Sequence, residues 1–227
     1  MEYRLDQFSA LLCRENFSLA EACLLIAQDA YPELDVAHYL SRIETLAATV
    51  KRRLPSDAFS EQKIVVLNRY LFNELGFAGN ASDYFDPRNS YLNEVLERRT
   101  GVPITLSILY MEIGQRLGLR LHGVSFPGHF LVKLRVTGGQ LVIDPFCGGE
   151  AQSESDLRAR LAQVLPQREA ATLSLPQFLE TATSRQILAR VLRNLKGIYR
   201  QSEEAQNTLK VMQRMVMVAP HAAEEVR

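Results

Sequence analysis

A chain of 227 residues, 47% hydrophobic and 23% charged, has room for one large domain with a helical appendage and enough apolar side chains to bury a core. Its 26 Lys+Arg balance its 26 Asp+Glu, so a general nucleic-acid binder, whose affinity comes from basic residues on phosphates, is not expected. No apolar run approaches the ~20 residues of a membrane span, and the start Met1-Glu2-Tyr3-Arg4-Leu5-Asp6 lacks the basic and apolar regions of a secretion signal.

The first third reads as helical. Leu5, Phe8, Leu11 and Leu12 follow helical spacing, and Leu19, Ala22, Cys23, Ile26 and Ala27 repeat it behind Ser18, an N-cap. Asp35 caps a longer helix carrying Val36, Leu40, Ile43, Leu46, Ala47 and Val50, which Pro55 closes. A further helix is expected from Glu61 to Leu75, ended by Gly76. The Gly-, Asn-, Asp- and Pro-rich stretch from Phe77 to Ser90 is a loop, and a short helix follows from Tyr91 to Arg99.

Pro103 suits a first helical turn because its missing N–H is not needed there. The helix it opens runs to about Leu117 and is stopped by Gly118; Ile104, Leu106, Ile108, Leu109, Met111 and Ile113 lie almost all round it, as in a buried central helix. The period then changes to that of strands. Leu121 to Phe126, His129 to Val136 and Gln140 to Ile143 are separated by the turns Pro127-Gly128 and Thr137-Gly138-Gly139, which predicts an antiparallel meander packed on the buried helix. After Cys147-Gly148-Gly149 the chain returns to helix, interrupted by Pro166 and Pro176. Leu175 to Tyr199 and Glu203 to Val218 are expected to form an antiparallel pair, and Pro220 with Ala222 to Val226 begins another helix. The chain stops there, either at a natural end or as a piece of something longer. The fold class expected is α+β, mostly helical, organised as a helical region 1–76, a core 77–150 and a helical region 151–227.

Three features fall in order: the start of a buried helix, a histidine opening a strand, and an aspartate closing the next strand. His129 and Asp144 are 15 residues apart, with a turn near midway. Antiparallel neighbours lie about 5 Å apart. An imidazole held by a carboxylate is the orienting half of a nucleophile triad. The third member belongs at the start of the buried helix, where the helix dipole favours a thiolate.

The stretch from Tyr84 to Gly149 resembles the transglutaminase-like superfamily, and most of all its divergent bacterial SirB-type branch, whose core also occurs in an F-box subunit of animal ubiquitin ligases. Four segments carry the resemblance in order: Tyr84-Phe85-Asp86-Pro87-Arg88-Asn89-Ser90-Tyr91-Leu92, Gly101-Val102-Pro103-Ile104-Thr105-Leu106-Ser107, Phe126-Pro127-Gly128-His129-Phe130-Leu131-Val132 and Ile143-Asp144-Pro145-Phe146. It implies a papain-like Cys-His-Asp arrangement in which His129 and Asp144 are the second and third members. In active relatives a cysteine opens the buried helix, a small residue follows four positions later and a glycine closes it. Ser107 and Gly118 fit the later positions, but four residues before Ser107 stands Pro103, which has no nucleophile. The branch also implies tetratricopeptide-like helices after the core, and Leu209 to Pro220 is similar to the end of one such repeat.

Each candidate has a plainer reading beside the functional one. His129 is either a histidine tying strands together or a residual catalytic or ligand-binding group; Asp144, before Pro145, is either its partner or a turn-forming carboxylate. Cys147 is the only thiol near the pair, either a relocated nucleophile or an incidental small residue. Tyr84, Asn89, Pro103 and Thr105 are cleft candidates, although aromatics plug cores and hydroxyls on buried helices bond back to their own carbonyls. His38 and His122 stand alone, Cys13 and Cys23 sit on apolar helix faces, and no spacing suggests a metal, disulfide framework or cofactor. With no targeting segment, the cytoplasm is the expected compartment.

Three functions follow. One is a catalytically degenerate module that binds protein or peptide or acts in regulation, with no nucleic acid and no membrane as partner. Another is a hydrolase or acyltransferase using His129 and Asp144 with Cys147 or an activated water. The third is an adaptor working through its helical tail.

Overall fold

The computed structural model describes residues 2–136, 138–166 and 173–219. Its first helices stand where spacing and caps put them: α1 (Glu2–Leu12), α2 (Leu19–Ala27) and α3 (Val36–Lys51). Ser18 Oγ accepts from Glu21 N at 3.1 Å and Asp35 Oδ1 from His38 N at 3.1 Å, each satisfying an amide that a helix start leaves open. The next segment departs from a single helix. An α-helical part, α4 (Ser60–Asn68), passes into a π-helical turn, Arg69–Glu74, before Gly76 takes φ +73°.

Two short parallel strands, β1 (Ala78–Gly79) and β2 (Thr100–Gly101), clamp the ends of the Phe77–Ser90 loop and the helix α5 (Leu92–Arg98) between them. Two residues per strand carry no readable alternation, so this pair was not legible in the sequence. The central helix is α6 (Pro103–Arg116), with every residue from Pro103 to Gly114 buried. Its all-round apolar surface is covered by α2, α3, α5 and the sheet. Glu112, on this buried helix, is only 5% exposed; it accepts from Ser18 Oγ at 2.9 Å and Ala20 N at 2.8 Å and pairs with Arg116 at 2.7 Å.

The sheet is antiparallel in the order β3 (His122–Val124), β4 (Leu131–Val136), β5 (Gly139–Asp144), β6 (Glu150–Ala151). The meander expected from the sequence is present, with a fourth strand that two residues could not announce. His129 does not open a strand as expected: it lies in the turn before β4, and its N–H bonds to Phe126 O at 3.0 Å. The register pairs Val132 with Ile143, so the position facing Asp144 belongs to Leu131 and His129 reaches it from beyond the ladder. Thr137, in the predicted turn, lies outside the described residues.

Beyond the sheet come α7 (Glu154–Val164) and a 3₁₀ turn, Leu175–Leu179. The last helices are α8 (Ser184–Gln201) and α9 (Ala205–Val218), packed against each other. The helix expected from Leu175 begins only at Ser184, where Thr183 caps it; Pro176 holds the preceding turn apart. The helix expected after Pro220 falls outside the described residues. One hydrophobic core takes side chains from Phe8 in α1 to Val218 in α9, and a smaller cluster around Phe126, Leu131, Leu157 and Leu161 seals α7 on the sheet. Among the described residues no helix is long and apolar enough to cross a membrane.

Candidate functional site

The Pro145–Cys147 3₁₀ turn leaves β5 at Asp144, and packing against α6 fixes where it goes. Asn68, at the end of α4, holds the far side. Its amide nitrogen donates to Gly149 O at 2.7 Å, and its oxygen accepts from Tyr110 OH on α6 at 2.8 Å. A β-carbon on Gly149, which also has φ +78°, would lie 2.5 Å from the Asn68 side chain, so only glycine closes this turn.

On that frame the Asp144 carboxylate is fully buried and collects four partners. His129 Nε2 lies 2.9 Å and Arg160 Nη2 2.8 Å from the same Oδ2. Oδ1 accepts from Phe146 N at 3.0 Å, and the Cys147 thiol hydrogen-bonds to the carboxylate as well. Burial pushes the Asp144 carboxyl up, but the hydrogen bond and charge of His129, then Arg160 and Cys147, outweigh it and hold the group below the ordinary carboxylate range. An ionised carboxylate only accepts, so Nε2 donates to it, and in the neutral form of the ring Nδ1 keeps its lone pair. Among the described residues Nδ1 makes no hydrogen bond.

The environment of Cys147 acts the other way. Burial, the Asp144 charge and the bond to Asp144 raise its thiol pKa, with Arg160 opposing. The side chain is exposed, yet the carboxylate beside it disfavours a thiolate.

A second knot of bonds sits at the start of α6. Pro103 occupies the first helical position. Thr105 Oγ1 lies 3.2 Å from Val102 N, 2.7 Å from Asn89 O and 3.1 Å from Val102 O, so its hydroxyl accepts from the cap amide and shares its proton between two carbonyls. Asn89 is 0% exposed; its amide nitrogen donates to Asp83 O at 2.7 Å and its oxygen accepts from Asn80 Nδ2 at 3.2 Å. Both side chains are consumed in tying the loop to the helix and present no atom to a cleft.

Tyr84 joins the two knots. Its ring packs edge-on against Phe146 at 6.4 Å, and Phe146 packs edge-on against His129 at 5.8 Å. Tyr84 also lines a pocket of about 190 Å³ with Phe85, Ser90 and Val102 on one wall and Arg193, Asn194, Gly197 and Ile198 of α8 on the other. The structure thus brings His129, Asp144 and Cys147 together, sets Pro103 and Thr105 at the head of the buried helix, and places Tyr84 between.

Several residues of the site went unnoticed in the sequence. Arg160 and Arg190 are isolated arginines on amphipathic helices, which composition and spacing cannot distinguish from solvated ones. Phe146 stood inside a quoted segment but had no partner until the fold supplied Gly79 and His129. Among the described residues no group of His, Cys, Asp and Glu is spaced to hold a metal ion.

Comparison with known proteins gives this architecture its family. Residues 37–193 match the family model described as the transglutaminase-like superfamily, and the chain belongs to that superfamily. It is 40% identical over 213 residues to a UPF0162 protein of Xylella fastidiosa, covering 94% of this chain and 76% of that one. A UPF0162 protein of Vibrio cholerae is 30% identical over 220 residues, covering 95% and 80%. A 72-residue stretch, 32% of this chain, is 44% identical to 12% of human F-box only protein 21. No solved structure matches.

Proposed function

We propose that this protein is a peptide- or protein-binding member of the SirB-type branch of its superfamily, which keeps the cleft of a papain-like core and has exchanged covalent catalysis for recognition. The observation that carries the reading is Pro103 at the first position of the buried helix, with the His129–Asp144 pair otherwise preserved. A proline there starts the helix well and offers no atom that could attack a carbonyl. The raised thiol of Cys147 supports the same side, because a nucleophilic cysteine needs its thiolate near neutrality. The packed pair α8 and α9 supports a tetratricopeptide-like extension, and α8 supplies one wall of the pocket beside Tyr84. The free thiols Cys13, Cys23 and Cys147 fit a reducing compartment such as the cytoplasm.

One observation favours a second reading. With Nε2 held by Asp144, Nδ1 of His129 is poised as a general base for a water molecule, in amide hydrolysis. Incubating the full chain with a pool of random peptides separates the two. Retention of peptides with no release of ammonia and no new amino termini supports the binding module. Turnover that disappears in His129→Ala overturns it in favour of the hydrolase.

A further inference from the structure

Arg190 projects from α8 to the turn on which His129 sits. Its Nη1 donates at 3.3 Å to Phe126 O, the same carbonyl that accepts the His129 N–H, and its guanidinium carbon lies 5.8 Å from the centre of the Phe130 ring. It is half-buried and has no carboxylate partner among the described residues. Other inward-facing arginines among the described residues are compensated, Arg214 by Asp29, Arg116 by Glu112 and Glu44, and Arg160 by Asp144. Arg193, one turn along the same helix, adds a like charge beside it. A partly desolvated guanidinium without an anion costs stability unless something anionic visits it.

The pocket beside it is apolar and also incomplete. Tyr84, within the electrostatic reach of Arg190, forms its edge, with Phe85, Val102 and Ile198 as further lining. Ser90 lines it too, 2% exposed, with a hydroxyl that has no hydrogen-bond partner among the described residues. Gly197 leaves the α8 wall open, since a β-carbon there would meet nothing within 4 Å. An orphaned buried hydroxyl, an apolar hollow and an uncompensated cation therefore lie along one face of α8, next to the imidazole.

We propose that Arg190 anchors a carboxylate of the bound peptide, while the pocket of Tyr84, Phe85, Val102 and Ile198 takes an adjacent apolar side chain and the Ser90 hydroxyl bonds a polar atom of the same ligand. The planar fork of a guanidinium matches a carboxylate in two parallel hydrogen bonds, and one uncompensated positive charge matches one negative charge. A terminal carboxylate and an Asp or Glu side chain share this chemistry. The proposal rests on the peptide-binding reading above.

The test uses the full chain and labelled random hexapeptides in separate pools: free carboxyl terminus without Asp or Glu, amidated with Asp and Glu, and amidated without them. Retention is measured on the wild type, on Arg190→Gln, which keeps one donor for Phe126 O, and on Gly197→Leu, which fills the pocket from a helical position with open space. A carboxylate pool is expected to be held about tenfold better than the acid-free amidated pool, the size of a charge-assisted hydrogen bond. That advantage should vanish in Arg190→Gln, and on the unaltered protein at about 1 M salt, where the screening length falls to ~3 Å. Gly197→Leu should weaken every pool. Preference for the free-carboxyl pool assigns a chain terminus, and preference for the acidic amidated pool assigns a side chain. If the acid-free pool is held as well as the others, or the advantage survives Arg190→Gln, the carboxylate inference falls while peptide binding stands. If the wild type holds no pool, both fall.

Discussion

The Phe146 ring fills the space beside Gly79 that a side chain there would need: a β-carbon on Gly79 would lie 2.4 Å from Phe146 Cε2. This contact locks the ring that in turn packs against His129 at 5.8 Å and Tyr84 at 6.4 Å. Gly79→Ala is therefore expected to push Phe146 off the imidazole and to cost about 1–3 kcal/mol, the usual penalty of overpacking. Urea unfolding reads the cost, and the His129 ring proton shifts in NMR read the displacement. Unchanged stability together with unchanged shifts would show that Phe146 does not brace the histidine.

The Asp144 carboxylate is shared between His129 and Arg160, and the two substitutions that break this cluster should differ. His129→Ala leaves Asp144 with Arg160 and Phe146 N, and should cost about 1–2 kcal/mol. Asp144→Ala leaves an arginine and a histidine facing each other, and should cost about 3 kcal/mol; Arg160 is a quarter exposed and recovers part of its hydration, which keeps the figure at the lower end for a broken pair. The pH dependence follows from direction. The folded-state pKa of Asp144 lies below its unfolded value of about 3.9. Its contribution is thus complete above that value and is lost as pH falls through the lower folded value. The stability gap between the wild type and Asp144→Asn, measured by urea unfolding, should be constant at neutral pH and narrow below about pH 4. A gap that stays constant down to the acid unfolding limit would mean the carboxylate is not ionised in the fold.

Cys147 gives a direct reading of the thiol route. Burial and the Asp144 charge raise its pKa, so alkylation by iodoacetamide should be slow at pH 7 and speed up only above the free-cysteine value of about 8.5. Asp144→Asn removes the opposing charge and should shift that profile to lower pH. Rapid alkylation at pH 7 that is lost in His129→Ala would overturn this expectation and restore Cys147 as a nucleophile. Cys23, buried and with its pKa pushed up first by burial and then by Glu112, should not react in the folded protein, which leaves exposed Cys13 to be removed for a clean signal.

What the sequence made legible was whatever repeats or breaks a repeat. The apolar circumference of α6 announced a buried helix, Ser18 and Asp35 announced their caps, and alternation with Gly turns announced β3, β4 and β5. Segments of two residues were silent: β1, β2 and β6 owe their existence to partners far along the chain. The π-helical turn at Arg69–Glu74 was also silent, since its composition is that of an ordinary helix. At the site, His129 and Asp144 could be paired because a hairpin spacing joins them. Arg160 and Arg190 could not, because each comes from a helix whose approach to the sheet is set by packing and not by any local pattern. Asn89 and Thr105 looked available for a ligand and are instead spent within the fold, Thr105 on the Asn89 carbonyl and the Asn89 side chain on Asp83 O and Asn80.

Glu112 ties the first helices to the core by a route no local rule predicts. Its carboxylate sits at the start of α2, accepting from Ser18 Oγ and from Ala20 N, so an anion borrowed from α6 meets the positive end of another helix. Arg116, one turn along α6, neutralises it at 2.7 Å and passes on to Glu44 of α3 at 2.5 Å. Glu112→Ala removes the acceptor and strands a buried amide, a hydroxyl and part of a guanidinium, for an expected loss of about 3 kcal/mol. Glu112→Gln keeps one acceptor oxygen for Ala20 and Ser18 but loses the charge, and should cost roughly half as much. Urea unfolding of both variants checks the order. Equal losses would show that the charge is what matters and the neutral acceptor contributes nothing; a negligible loss in both would show that α2 docks on α6 by apolar contact alone, with Leu19, Ala22, Cys23 and Ile26 sufficient to hold it.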